Sequence, residues 1–135
     1  MTQSSSTNGA ALMGADELKE QINDGRLDID AVDDDGRTPL HRAIDLGAED
    51  LAVFLVSVGA DVNLRDRWGN TPLWRAVYHA PGTDAIVELL LERGADPAAK
   101  NNHDVSPIDL AHKMTDDDET AELLPKLQAA LSTDE

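Results

Sequence analysis

Thr38-Pro39-Leu40-His41-Arg42-Ala43 is the stretch that decides the fold, because its first two residues combine two signals for the start of a helix. A hydroxyl side chain such as that of Thr38 caps a helix N-terminus, and proline is favoured at the first helical position, where its missing N–H costs nothing. The same pair returns as Thr71-Pro72 and Ser106-Pro107, at spacings of 33 and then 35 residues. The chain is therefore predicted to consist of repeated units that each begin with a capped helix.

Each unit continues with a second helix and a polar turn. First helices are predicted over 39–46, 72–79 and 107–114, and second helices over 49–57, 84–93 and about 118–131. Gly59 and Gly94 stand where a left-handed residue would end the second helix. The second helices carry apolar residues at helical spacing, and no single unit can bury that stripe alone. Stacked units can bury it, which predicts a solenoid with a continuous core.

The segment from Thr38 to Ala43 fills the Thr-Pro-Leu-His-x-Ala pattern of the ankyrin repeat without a mismatch, and Gly59-Ala60-Asp61-Val62-Asn63 adds the tail of that repeat. The chain thus resembles the ankyrin-repeat family over about 34–131. The resemblance implies an all-α solenoid of stacked helix-turn-helix units with β-hairpin-like loops. The second copy departs from the pattern at Trp74, where His is usual. The third copy is degenerate, with Asp104 for Gly, Ile108 for Leu and Asp109 for His.

The predicted organisation is a single domain with distinct ends. We expect a disordered tail over 1–11, an N-terminal capping half-repeat over 12–33, ankyrin repeats over 34–66 and 67–101, and a divergent C-terminal capping repeat over 102–131. The polar outer faces of the two ends argue for a monomer when the protein is free. Pro125 falls inside the last helix, so a kink or break is expected there.

Composition and charge restrict the classes of function. The net charge is −16, which repels the phosphate backbone and an anionic membrane surface, so neither nucleic acid nor membrane is expected as a partner. A basic partner protein would be attracted, although acidity also serves solubility alone. The absence of cysteine excludes disulfides and thiolate sites. The chain starts without a signal-peptide pattern, which favours a cytoplasmic location.

The four histidines and many carboxylates form no recognisable catalytic or metal-binding pattern. No His-Glu-x-x-His, Gly-x-Ser-x-Gly or Walker-type loop is present. A calcium loop aligned on Gly36 places Ala31 at the first ligand and Arg42 at the bidentate glutamate position, so both anchors fail. For His41 the family resemblance implies a structural hydrogen bond near the turn. We therefore expect no enzyme activity, no cofactor and no metal site.

The resemblance implies that contact residues lie at the loop tips and on the exposed side of the first helices. The second repeat holds both tryptophans and the only tyrosine, beside several arginines, and these residue types dominate binding hot spots. For Trp74 and Tyr78, packing between repeats remains an alternative. The predicted protein-binding residues are Asp34, Asp35, Arg37, Asp45, Leu46, Arg65, Arg67, Trp68, Asn70, Trp74, Tyr78, His79, Asn102, His103 and Val105.

The function predicted from these features is non-enzymatic protein–protein interaction. Small, stand-alone, acidic ankyrin-like proteins resemble immunity proteins that neutralise a cognate toxin, often a basic enzyme. That resemblance implies an inhibitor whose partner presents a basic region opposite Asp34, Asp35 and Asp45. Two other functions stay open: an accessory or adaptor subunit of a larger complex, and an acidic mimic of nucleic acid.

Overall fold

The computed structural model describes residues 14–80, 82–114 and 123–132, and the predicted tail over 1–11 lies outside them. The described residues form helices and loops without a strand. The helices are α1 (Ala15–Asn23), α2 (Pro39–Leu46), α3 (Glu49–Ser57), α4 (Pro72–Tyr78), α5 (Asp84–Glu92), α6 (Pro107–Lys113) and α7 (Leu123–Ser132).

The helices stack in two layers. One layer contains the first helices of the units, with α2 packed on α4 and α4 packed on α6. The other contains the second helices, with α3 on α5 and α5 on α7, while α1 packs mainly against α3 and extends this layer at the N-terminal end. Leu40, Leu73, Leu55 and Leu90 are fully buried between the layers. The predicted all-α repeat solenoid with a continuous core is confirmed.

The helix starts follow the predicted capping chemistry. Each hydroxyl accepts a hydrogen bond from the backbone N–H three residues later, which satisfies a donor that the first turn leaves free. The three pairs, at nitrogen–oxygen distances of 3.3, 3.2 and 3.1 Å, are His41 with Thr38, Trp74 with Thr71, and Asp109 with Ser106. These local bonds explain why α2, α4 and α6 begin at their prolines.

Pro125 does not break the last helix within the described residues. It is the third described residue of α7, and the helix continues through it to Ser132. The expected break is therefore not found in the part of α7 that the structure describes, and the alternative, a kink, stays a prediction. Residues 118–122 of the predicted helix lie outside the described part.

The loop tips are held by a carboxylate or amide that closes each turn. Oδ1 of Asp33, Asp66 and Asn101 each accepts backbone N–H groups from the residues two and four positions later, at 2.9–3.0 Å. The N–H of the same three residues also donates to the carbonyl four positions later. The turns are thus hairpin-like in their hydrogen bonding, although no strand is formed in the described residues.

Neighbouring tips are joined by backbone hydrogen bonds. The Arg67 N–H donates to the Asp35 carbonyl at 2.8 Å, and the Asn102 N–H donates to the Trp68 carbonyl at 2.9 Å. Gly69 is required at this junction, because its φ is +82° and a Cβ atom there would lie 2.8 Å from the Asn102 nitrogen. The tips are therefore aligned along one edge of the solenoid, which sets the spacing of the side chains that they carry.

Candidate protein-binding site

An open groove of about 420 Å³ lies across the first helices and loop tips of the second and third repeats. We call it the aromatic groove, and its described lining is Arg37, Trp68, Asn70, Trp74, Arg75, Tyr78, Asn101, His103, Val105, Leu110 and Lys113. Two other depressions, of about 410 and 460 Å³, are lined by a mixture of small, charged and aliphatic residues, and no aromatic residue is among their described lining.

Two aromatic rings on α4 form one wall of the groove. Trp74 and Tyr78 are one helical turn apart, and their rings stack with 5.6 Å between centroids and 14° between planes. Tyr78 is 51% exposed, and the guanidinium of Arg75 lies 5.0 Å from its ring centroid. The stacked pair presents a large apolar face together with a cation, a combination that favours contact with a partner protein.

Trp68 forms the opposite rim at the tip of the second repeat. It is 37% exposed. The guanidinium carbons of Arg37 and Arg67 lie 4.9 and 5.3 Å from its ring centroid, which are cation–π distances. The ring is therefore supported by two arginines and still presents apolar surface to solvent.

Asp45 lies below the groove and pairs with the basic side chains around it. Its side chain is only 10% exposed. Its Oδ1 accepts from Arg75 Nε at 3.0 Å and Arg75 Nη2 at 2.9 Å, and it lies 3.0 Å from His79 Nε2. Its Oδ2 lies 3.5 Å from Arg37 Nη1. The expectation that Asp45 is an exposed acidic contact is wrong, because stacking of α2 on α4 directs its carboxylate toward arginines instead.

Arg37 has a second carboxylate partner. Its Nε donates to Oδ2 of Asp66 at 3.4 Å, and the Asp66 side chain is fully buried. Both carboxylates that hold Arg37 therefore lie below the surface, whereas Arg37 itself lines the groove. Ion pairs with this little exposure restrict the arginine rotamer more than exposed pairs do.

His41 and Trp74 occupy equivalent positions but have different surroundings. His41 is fully buried, its Nδ1 accepts from the Thr38 N–H at 3.2 Å, and its Nε2 donates to the Asn70 carbonyl at 2.9 Å. Burial lowers the pKa of His41, although the hydrogen bond to Asn70 and the nearby carboxylates of Asp66 and Asp45 oppose this. The predicted structural hydrogen bond of His41 is confirmed.

Trp74 makes no bond of this kind. Its indole Nε1 is buried and has no hydrogen-bond partner among the described residues. An unpaired buried donor costs about 1–3 kcal/mol. Packing therefore buries part of the Trp74 side chain but leaves its indole N–H without a hydrogen bond, whereas both ring nitrogens of His41 are hydrogen-bonded.

The structure brings seven of the predicted binding residues into the groove. They are Arg37, Trp68, Asn70, Trp74, Tyr78, His103 and Val105. The other predicted residues lie outside its described lining: Asp34, Asp35, Asp45, Leu46, Arg65, Arg67, His79 and Asn102. Several of these support the tips, since Arg65 Nη1 donates to the Lys100 carbonyl at 2.6 Å and Asn102 Nδ2 donates to the Arg67 carbonyl at 2.9 Å.

Some groove residues were not among those predicted. Leu110 on α6 occupies the position that Arg75 occupies on α4, 35 residues earlier, and Asn101 corresponds in the same way to Asp66. Carrying Arg75 forward by one repeat would have identified Leu110, whereas Asp66 does not line the groove and so gives no such signal for Asn101. Arg75 and Lys113 complete the lining and add positive charge to it.

The described residues offer no group of three or more His, Asp or Glu side chains placed to hold a metal ion. None of the helices in the described ranges has the length and apolar character needed to span a bilayer.

Comparison with known proteins gives a family match. A family model described as ankyrin repeats, in three copies, matches residues 8–101. The match begins upstream of Asp34 and stops before the third, divergent unit.

Similar proteins include an ankyrin repeat-containing protein of Schizosaccharomyces pombe, 35% identical over 79 residues, which are 58% of this chain and 36% of that protein. A potassium channel of Arabidopsis thaliana is 32% identical over 132 aligned positions, which cover 87% of this chain and 16% of the channel. An ankyrin repeat protein of monkeypox virus is 36% identical over 75 residues, 56% of this chain and 13% of the viral protein. The chain thus spans about a third or less of the length of these relatives.

Proposed function

The chain belongs to the ankyrin-repeat family, and on this premise we propose that it is a recognition module that binds a partner protein through the aromatic groove. The ankyrin repeat is a non-enzymatic protein–protein interaction module. The side chains that line the aromatic groove are particular to this chain, and they support the proposal that the groove is the binding surface.

The observation that carries this proposal is the concentration of aromatic side chains. The whole chain has four Phe, Tyr and Trp residues, and Trp68, Trp74 and Tyr78 all line one groove. Trp and Tyr, with Arg, are the residues most enriched in binding hot spots, because each removes a large area from water at low entropic cost. Trp68 and Tyr78 remain 37% and 51% exposed, so packing within the solenoid does not bury these two side chains.

We propose further that binding inhibits the partner, and that the partner carries a basic region facing the N-terminal tip. The net charge of −16 and the exposed Asp34 support an acidic surface that attracts such a region. The pair of Asp35 with Arg67, at 3.6 Å, leaves the Asp35 side chain 44% exposed beside it. An accessory or adaptor role would use the same groove without loss of the partner's activity, so an activity assay separates the two.

The third function, mimicry of nucleic acid, depends on acidity alone. It predicts that affinity for the partner falls steeply with salt and barely changes when Trp68 or Tyr78 is replaced. Recognition through the aromatic groove predicts the opposite pattern, because apolar contacts are much less sensitive to salt than charge contacts are.

The test is co-purification of the tagged chain with proteins of its source cells, followed by mass spectrometry and measurement of affinity for the purified partner. Trp68→Ala and Tyr78→Ala should each weaken binding by about thirtyfold or more, the scale of a hot spot. The matched control is Val53→Ala on α3, which removes an apolar side chain that is 45% exposed and lies outside the groove.

Circular dichroism on each variant checks that the solenoid is intact. If Tyr78→Ala and Trp68→Ala bind as tightly as Val53→Ala, the groove is not the contact surface and the proposal fails. The assay of partner activity then distinguishes inhibition from an accessory role.

A further inference from the structure

The charged side chains that line the aromatic groove are opposite in sign to the net charge of the protein. Asp and Glu make up 27 of the 135 residues, yet none is among the described lining of the groove. Arg37, Arg75 and Lys113 all line it. Arg67 adds a further cation at the rim, against the Trp68 ring. A partner segment in the groove would therefore meet cations and aromatic rings on a molecule that is otherwise strongly acidic.

Arg37 and Arg75 are held in place by carboxylates that use only some of their N–H donors. Arg75 uses Nε and Nη2 toward Asp45, and Arg37 uses Nε toward Asp66 and Nη1 toward Asp45. Because a guanidinium has five N–H donors, the Nη1 group of Arg75 and the Nη2 group of Arg37 are not used by these carboxylates. A carboxylate is the group that satisfies such donors best.

Lys113 provides a third cation. It is exposed near the end of α6, and its ammonium makes no ion pair with a described residue. Val105 and Leu110 lie in the same lining and provide apolar surface between the cations. The groove therefore combines places for carboxylates with places for apolar side chains.

We propose that the aromatic groove recognises an acidic, apolar polypeptide segment of the partner, in which Asp or Glu side chains alternate with aromatic or aliphatic ones. This inference rests on the proposed function of the groove and names the chemistry of what it binds. The carboxylates pair with Arg37, Arg75 and Lys113, and the apolar side chains pack on Trp68, Trp74 and Tyr78. The acidic remainder of the surface would repel such a segment, so charge directs the segment to the groove.

The test uses a library of short random peptides displayed on phage and selected on the immobilised full chain. The expected result is enrichment of peptides that carry Asp or Glu next to Phe, Tyr, Trp or Leu. Enrichment of basic peptides would overturn the inference, and so would enrichment no greater than that on the Trp68→Ala, Tyr78→Ala double variant.

A charge reversal then tests whether cations of the groove attract the segment. The probe is one of the enriched peptides, labelled with fluorescein, and its affinity for each variant is measured. Lys113→Glu should weaken binding about tenfold at low salt, because one attractive contact becomes repulsive. The matched control is Arg26→Glu, which changes the net charge by the same amount at an exposed site outside the groove and should change affinity less than about twofold. Equal effects of the two variants would overturn the inference.

Failure of this inference can be told from failure of the proposed function. Suppose that Tyr78→Ala abolishes binding of the natural partner, while Lys113→Glu and Arg26→Glu bind it equally well. The groove then binds a segment that is not acidic, and only the inference fails. If Tyr78→Ala leaves the natural partner bound, the proposed function itself fails.

Discussion

The first helices of the first and second repeats start with six residues that differ at a single position. After Thr-Pro-Leu, the first repeat has His41 and the second has Trp74. His41 is fully buried and bonds both to its own helix cap and to the Asn70 carbonyl of the next repeat. Trp74 stacks on Tyr78 at the groove and leaves its Nε1 without a partner among the described residues.

Under the proposed function, this difference gives the second repeat a surface for recognition where the first repeat has a structural hydrogen bond. The carbonyl that His41 bonds belongs to Asn70, and the equivalent carbonyl in the third repeat belongs to Val105. Trp74 does not take the place of His41 there, because its buried Nε1 has no hydrogen-bond partner among the described residues. The third repeat has Asp109 at this position, whose carboxylate completes a capping box with Ser106 and pairs with Lys100 at 3.1 Å.

The largest effect should follow from removing the histidine. His41→Ala leaves the buried Thr38 N–H unpaired, removes the bond that joins the first repeat to the Asn70 carbonyl and leaves a cavity, so we expect the free energy of unfolding to fall by about 3 kcal/mol. Urea unfolding followed by circular dichroism measures this. A loss below about 1 kcal/mol would mean that His41 is not what joins the first two repeats.

The contribution of His41 should also depend on pH. Because its pKa is lowered in the folded protein, the unfolded chain takes up a proton first as the pH falls below about 6.5, and stability is lost from there down to the folded pKa. The loss is at most about 1.4 kcal/mol per pH unit. Unfolding of the wild type and of His41→Gln at a series of pH values measures it.

The difference between those two pH profiles is the informative quantity, because the change in overall charge repulsion is common to both proteins. We expect the wild type to lose stability relative to His41→Gln between pH 6.5 and lower values. Parallel profiles would contradict a lowered pKa.

The reverse exchange tests the second repeat. Trp74→His places an imidazole where it can accept from the Thr71 N–H and donate to the Val105 carbonyl, and it removes the unpaired indole donor. We expect stability to rise by about 1 kcal/mol, while affinity for the partner falls. Thermal unfolding and a binding assay on the same variant separate the two effects, and a fall in stability would mark Trp74 as a packing residue.

The smallest effect concerns the tip of the third repeat. Asp104 has φ of +66° at the position that Gly69 occupies one repeat earlier. Asp104→Gly should stabilise the protein by about 0.5–1 kcal/mol, because glycine adopts this left-handed conformation without strain. Gly69→Ala is the opposing control, since it should destabilise through both its φ and its close approach to Asn102. If thermal unfolding finds Asp104→Gly neutral or destabilising, the side chain of Asp104 contributes more than its backbone costs.

Much of the fold could be predicted because its signals are local. The caps at Thr38 and Thr71, with the prolines that follow, determine where α2 and α4 begin, and each acts within one helical turn. The break that was one expectation for Pro125 is absent from the described part of α7, which runs through this residue from Leu123 to Ser132.

Prediction of the candidate site was less complete. Concentration of aromatics in the second repeat pointed to Trp68, Trp74 and Tyr78, which do share one groove. The sequence predicts that Asp45 is an exposed acid, because its position on the first helix faces the binding side of the repeat. Nothing in the local sequence shows that Arg75, 30 residues away, covers it.

The sequence by itself determined the repeat, the helix starts and the stacking of apolar stripes, since caps, prolines and helical periodicity act over a few residues and recur with each unit. Only the tertiary structure decided the character of the groove. Asp45 and Asp66 lie beneath it, Arg37 and Arg75 line it, and Trp68 stands between two cations. These contacts join different repeats, so their distances depend on how the units stack and which rotamers that stacking allows.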